Sequence, residues 1–245
     1  MSEYSLIRGY IYSFVYVVST LKAEATNMTN HLVDGKTNEK LLKTMNKYGI
    51  YILSFNLPAG LTCPYKGLCE RDCYGKKGNF VYRSNLDRYK GNYELSQSDR
   101  FVDVINDELS QYNYVKKLVV RIHVIGDFYS AQYLDKWVKI ARMNKDVSFY
   151  AYTKSVKMVK DYKAKFGIPD NLTIAYSYGG KQDALIDPIN DKHSIVIAPD
   201  SEIPIGYVDG SADDYQVILS KNIALKYHGA RSWDKSGFKD VILPI

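Results

Sequence analysis

The 245-residue sequence is poor in cysteine, histidine and tryptophan, with three, four and two of each. Three cysteines cannot all pair within one chain, so a disulfide framework is not what organises the fold, and a reducing compartment suits them better. No apolar run is long enough to cross a bilayer. The stretch from Tyr10 to Leu21, between Arg8 and Lys22, is about a dozen residues against the roughly twenty that a spanning helix needs. Ala23-Glu24-Ala25 has the small-x-small look of a cleavage site, but Lys22 and the Tyr/Ser content argue against a signal peptide. The stretch therefore reads as an extra strand or helix, and no membrane partner is expected. There is no glycine-rich dinucleotide turn, no RNA-recognition, zinc-finger or helix-turn-helix signature, no internal repeat and no linker. A net charge of +6 and a pI near 8.9 read first as solvated surface, and are compatible with a nucleic acid or phosphorylated partner. The apolar content of 46% allows a sizeable core.

What the chain does have is a cluster. Cys63, Cys69 and Cys73 fall in one stretch with the spacing C-x5-C-x3-C, directly after the apolar run Tyr51 to Leu57. Clustered thiols without a disulfide framework point to metal. Three thiolates suit a [4Fe-4S] cluster with one iron left open to an exchangeable ligand. Three thiolates and a histidine, His123 or His228, would make a closed zinc site. The remaining alternative is unligated thiols, with Cys63 and Cys69 in an adventitious disulfide. The cluster is the favoured reading.

In chain order, residues 37–48 carry Leu41, Leu42 and Met45 at helical spacing and end at Gly49. Residues 50–57 read as a strand. Residues 79–95 are polar and tyrosine-rich and receive no assignment. Ser98 is placed to cap a helix over 99–112, with Phe101, Val104, Ile105 and Leu109 on its inner face. Strands follow at 118–125, 147–153, 172–177, 194–198 and 223–227. Between them lie helices that begin at Ser130, Ser155 and Ser211 and run to Arg142, Phe166 and about Leu219. Strands alternating with helices imply an α/β fold with a mostly parallel sheet. Without a dinucleotide turn, a partial (β/α)6-type barrel is expected over a doubly wound sheet. The expected organisation is one domain over 37–245 with an N-terminal extension, 1–36.

In such folds ligands meet the C-terminal edge of the strands. Gly126-Asp127-Phe128, Lys154-Ser155, Ser177-Tyr178-Gly179-Gly180, Pro199-Asp200 and Lys226-Tyr227-His228-Gly229 all fall there. Arg121, His123 and Asp127 share one strand parity. Arg121 is either an anion clamp or half of a buried ion pair. His123 and His228 are either strand histidines or neighbours of the metal. Asp127 is either a ligand-binding carboxylate or a helix-entry residue held by local N–H groups. Gly179-Gly180 is either a tight turn or a place of close cofactor approach, and Lys76-Lys77 either a solvated turn or a phosphate contact. Along the later strands, Ala151 with Thr153, and Thr173 with Ala175 and Ser177, are expected to line the pocket, with the Tyr/Ile faces under helices.

Leu53-Ser54-Phe55-Asn56-Leu57-Pro58-Ala59-Gly60-Leu61-Thr62-Cys63-Pro64, Cys69, Cys73-Tyr74, Arg121 to Ser130, Phe149 to Ser155 and Gly206 to Ser211 resemble a bacteriophage family called gene product 88-like, which has no assigned activity. The resemblance runs from about residue 37 to 232 and implies a protein of the phage-infected bacterial cytoplasm. More distantly, the arrangement is similar to radical S-adenosylmethionine (SAM) enzymes. That resemblance implies a partial barrel whose Cys63, Cys69 and Cys73 hold a [4Fe-4S] cluster, with SAM chelated at the open iron. Gly126, Asp127, Ser177, Gly179 and Gly180 would then be cofactor-binding, with Asp127 receiving the SAM ammonium, and Arg121, His123, Lys154 and His228 would line the pocket. The family's usual spacing is C-x3-C-x2-C, so the longer gaps here separate metal binding from SAM cleavage. A nucleic acid or nucleotide is the expected substrate class. A non-catalytic metal-stabilised protein that engages nucleic acid or a host protein is the alternative, and a small electron carrier needs less chain than this.

Overall fold

In a computed structural model, residues 30–229 and 231–241 are described; the apolar stretch Tyr10 to Leu21 lies outside them. Eight strands form one sheet: β1 Val33–Asp34, β2 Tyr51–Phe55, β3 Leu118–Ile122, β4 Ser148–Thr153, β5 Leu172–Ser177, β6 His193–Ile197, β7 Val208–Asp209 and β8 Asn222–Lys226. Their order is β1-β2-β3-β4-β5-β6-β8-β7. Only β1 runs antiparallel to its neighbour. From β2 through β6 to β8 the order runs one way, and only the two-residue β7 lies out of sequence beyond β8, so the main strands have no switch point of the doubly wound kind. The expected strands are thus present and parallel, and β1 places part of the expected extension inside the sheet.

The helices are α1 Glu39–Tyr48, α2 Cys69–Asp72, α3 Arg83–Gln97, α4 Phe101–Ser110, α5 Ala131–Met143, α6 Val156–Phe166 and α7 Gln216–Leu219. Local chemistry sets several ends. Asn38 Oδ1 accepts from the N–H groups of Lys40 and Leu41, and Gly49 closes α1 at φ +61°, a conformation that glycine adopts without strain. Ser130 Oγ accepts from Tyr133 N at 3.2 Å, the cap expected of it. The other expected caps act elsewhere: Ser98 Oγ donates to Leu95 O, Ser155 Oγ donates to Phe128 O, and Ser211 Oγ accepts from Lys226 N. The unassigned stretch near 79–95 is largely α3, whose buried face carries Tyr89, Asn92 and Ser96 rather than an aliphatic stripe.

Alternation along the strands divides the core. One face gives Leu53, Phe55, Val120, Ile122, Phe149 and Ala151 to the main core, under α4, α5 and α6. There Phe55, Phe101 and Trp137 pack edge to face at 5.4–5.5 Å, and each such buried ring contributes on the order of 1.5–3 kcal/mol. The opposite face gives Ile52, Val119, Tyr150 and Ala175 to a smaller core under α1 and α7. In β4 this inverts the expectation for Ala151 and the tyrosines, while Thr153 lines the cavity as expected. Ala151 packs on the helix side, whereas Tyr150 and Tyr152 share the face of Arg121, to which Tyr150 is registered. In β5 the expectation holds for Ser177, which lines the cavity, whereas Ala175 is buried in the smaller core and neither it nor Thr173 reaches the cavity lining. No described helix is long and apolar enough to cross a membrane.

Candidate metal and ligand pocket

The cysteine loop leaves β2 at its C-terminal end. Asn56 Oδ1 extends the β2–β3 pairing by accepting from Val124 N (2.8 Å) and Ile125 N (3.2 Å), and Asn92 donates to the Asn56 carbonyl at 2.9 Å. Gly126, at φ +92°, sits against the loop's start, where a Cβ would lie 2.7 Å from Leu57 Cβ. The loop's middle is pinned to the end of β5. Leu68 N donates to Gly179 O and Lys181 N to Tyr65 O, both at 3.0 Å, beside an antiparallel bridge between Lys66 and Gly180. Gly179 and Gly180 therefore receive the backbone of the cysteine loop, while Asp183 accepts their own N–H groups, and neither lines the cavity. A Cβ on Gly67 would stand 2.8 Å from Gly179 O. Gly67→Ala is expected to cost about 1–3 kcal/mol through this backbone clash and to raise the reactivity of the thiols. Urea unfolding and thiol-labelling rates check this, and wild-type values in both would show that the contact does not hold the loop.

The loop closes one end of a cavity of about 820 Å³, well within the range of small-molecule sites. Cys63, Cys69 and Cys73 all line it, as unbridged, half-buried thiols. Burial pushes the Cys63 thiol up to about 12, with the Asp127 carboxylate and the other two thiols adding to the rise. Burial also raises Cys73, and Cys69 adds to it. Thiols so placed stay protonated at neutral pH until a cation displaces the proton. Among the described residues no three His, Cys, Asp or Glu side chains are grouped to hold a single metal ion. The expected zinc partners line the same cavity: His123 Nε2 meets Tyr133 OH at 2.9 Å and leaves Nδ1 without a partner among the described residues, and His228 Nδ1 meets Lys226 O at 3.0 Å.

The other sequence candidates converge on this cavity in different roles. Asp127 is buried, and its carboxylate accepts from Phe128 N (2.7 Å), Thr153 Oγ1 (2.5 Å) and Lys154 N (2.9 Å). It ties the end of β3 to the end of β4, and only Phe128 N is a local donor of the kind the helix-entry alternative expected. Burial raises it to about 6 despite those donors. Lys154 Nζ reaches across to β5, donating to Ser177 O, Ser177 Oγ and Tyr178 O. Lys77 Nζ bonds the carbonyls of His228 and Gly229.

Arg121 forms the expected buried ion pair. Its Nη1 donates to Asp214 Oδ2 at 2.7 Å, and its guanidinium lies over the Tyr152 ring at 5.8 Å. Asp214 also takes Lys40 Nζ at 2.8 Å and the Tyr150 hydroxyl. Burial pushes this carboxyl upward, but the two cations overcome it and hold it at about 2. Sequence reasoning missed Asp214, Lys40, Tyr152 and Asp72. Asp214 lies outside any strand end, and only the apolar face of α1 hinted at what that helix packs on. Asp72 stood in plain sight between Cys69 and Cys73. It is buried and faces Ser236 and Gly237 of the C-terminal segment.

The family described as Gene product 88 matches residues 21–238. A Gene 88 protein of Mycobacterium phage L5 is 32% identical over 113 residues, 41% of this chain and 47% of the relative. A Gene 88 protein of Mycobacterium phage D29 is 28% identical over 149 residues, 52% of this chain and 62% of the relative. The chain thus spans about half the length of the curated relatives it matches. No solved structure matches it.

Proposed function

This chain belongs to the Gene product 88 family, and we propose that it is a phage-encoded iron–sulfur protein whose Cys63, Cys69 and Cys73 hold a [4Fe-4S] cluster. The observation that carries this reading is the convergence of three unbridged thiols from one loop on a single ligand-sized cavity. A cubane distributes its thiolates over three different irons, so it does not require the convergence on one point that a zinc ion does. The sequential parallel strands β2-β3-β4-β5-β6-β8 support reading the sheet as a partial (β/α)6-type, radical-SAM-like barrel. The loop follows the first of them, as a cluster loop does in such barrels.

When bound, the cluster supplies one iron with an open coordination position, for which SAM is the candidate ligand. Asp127 is the residue for its ammonium. Oδ2 accepts only from Lys154 N and retains a lone pair. Arg121, Tyr152 and Lys154 form the walls beyond. A second reading, a non-catalytic protein stapled by its metal, draws on the contact of α2 with the C-terminal residues 231–237: Asp72 approaches Arg231 at 4.0 Å as well as Ser236 and Gly237.

Anaerobic purification with iron, sulfide and zinc quantification tests the assignment. About four irons per chain are expected, with Cys63→Ser, Cys69→Ser and Cys73→Ser each losing most of them. A change in the reduced cluster's EPR signal on SAM addition supports the enzyme, and iron without that change supports the stapled binding protein. Zinc in place of iron would sink the cluster.

A further inference from the structure

Away from the thiols the cavity has a second chemistry. Buried side-chain atoms without a hydrogen-bond partner among the described residues include Asp72 Oδ1, His123 Nδ1, and the hydroxyls of Tyr152 and Tyr227. All four residues line this cavity. Buried polar atoms in folded proteins are nearly always paired, so their concentration around one space points to a polar occupant. The charge is lopsided too. Lys40, Lys77, Arg121, Lys154 and Lys226 line the cavity against Asp72, Asp127 and Asp214, five cations to three carboxylates. Lys77 and Lys154 are met only by neutral oxygens. Lys40 and Arg121 share the single carboxylate of Asp214. Tyr74, Phe80 and Tyr227 add ring faces to the walls.

We propose that this cavity takes a nucleoside monophosphate as substrate, with the phosphate against Arg121 and the Tyr152 hydroxyl and the base against the aromatic wall. The inference deepens the reading of this cavity as the functional site and rests on it. Arg121 is fixed through Nη1 by Asp214 and through Nε by the His123 carbonyl, with its Nη2 N–H groups left for an anion, the planar fork that suits phosphate. Lys226 adds charge on the same lining. Arg121 is only 9% exposed, so the anion must enter the cavity whole. A monomer does so, and a continuous polynucleotide backbone does not.

Isothermal titration of the protein with deoxyadenosine and thymidine monophosphates, the parent nucleosides and inorganic phosphate tests this. The monophosphates are expected to bind at least about tenfold more tightly than the nucleosides, and inorganic phosphate to compete. Replacing Arg121 strands Asp214 and endangers folding, so Tyr152→Phe and Lys226→Gln carry the test. Each should weaken monophosphate binding about tenfold, the effect of losing one good contact. Tyr152→Phe should leave the unliganded melting temperature unchanged or higher, because it removes an unpartnered hydroxyl. Nucleosides binding as well as monophosphates, both variants binding like wild type, or binding of single-stranded oligonucleotides alone would overturn the inference. Iron content reads the cluster separately. Monophosphate binding by an iron-free Cys63→Ser protein would leave this inference standing and the cluster unneeded for it, whereas iron-loaded protein that ignores monophosphates would overturn this inference alone.

Discussion

Asp214→Asn is expected to destabilise the protein by about 3–5 kcal/mol, the cost of leaving a buried cation without its partner. Asp214 is 1% exposed and joins Arg121 of β3, Lys40 of α1 and Tyr150 of β4. Its removal leaves the Arg121 guanidinium buried with only a 3.4 Å contact to the His123 carbonyl. Arg121→Met should cost a comparable amount for the mirror-image reason. The double variant should recover part of the loss, since no unpaired charge then remains between those two positions, although Lys40 still lacks its anion. Urea unfolding of the four proteins at neutral pH gives the coupling directly. Single-variant losses below about 1 kcal/mol would show that solvent reaches the pair and screens it. Folded domains are stable by only about 5–15 kcal/mol, so the cluster decides whether α1 stays docked on the sheet.

The same residues show why the sequence was legible for the fold and less so for the site. Strands such as Leu172–Ser177 carry their own signal: β-branched and aromatic residues bounded by turns. The helix at Ala131–Met143 declares itself by its Ser130 cap and its Leu134, Trp137, Val138 stripe. Helix α3 does not, because what it buries is Tyr89, Asn92 and Ser96, polar groups satisfied through Asn56 and Tyr129. Its periodicity is invisible to hydropathy.

Pocket residues divide in the same way. Cys63, Cys69, Cys73 and Asp127 were legible because they sit at or just beyond strand ends, where the backbone course alone brings them together. Asp214 is brought to Arg121 from 93 positions away by the packing of a loop that has no periodic pattern. The direction of Tyr150 and Tyr152 was misread because size and polarity conflict in tyrosine. A ring suits a helix-covered core, but a hydroxyl requires a partner. Here the Tyr150 hydroxyl finds Asp214, and that contact outweighs the preference of the ring.

His123 supplies the second large effect, and its sign is specific. It is the non-glycine residue at positive φ among those described, +69°, and is 3% exposed. Burial, with the Arg121 cation adding, lowers it from the ordinary 6.5 to about 3. Between those values the unfolded chain binds the proton and the folded chain does not, so stability falls as pH drops through that window, by about 1.4 kcal/mol per unit. Asp127 works in the opposite sense. Raised from 3.8 to about 6, it binds its proton more tightly when folded, so acidification from pH 6 to 3.8 adds stability. The two nearly offset each other there, and below 3.8 the Asp214 carboxylate, held at about 2, begins to lose its contribution as well. His123→Asn removes the histidine titration while supplying a residue that tolerates positive φ. Chemical denaturation across pH 7 to 3 should therefore show a difference that grows with acidity. The variant gains on the wild type by several kcal/mol between pH 6.5 and 3, even if it begins lower at pH 7 for want of the Tyr133 contact. Parallel profiles for the two proteins would mean that His123 is protonated in the folded state, and that its ring reaches solvent or an anion through the cavity.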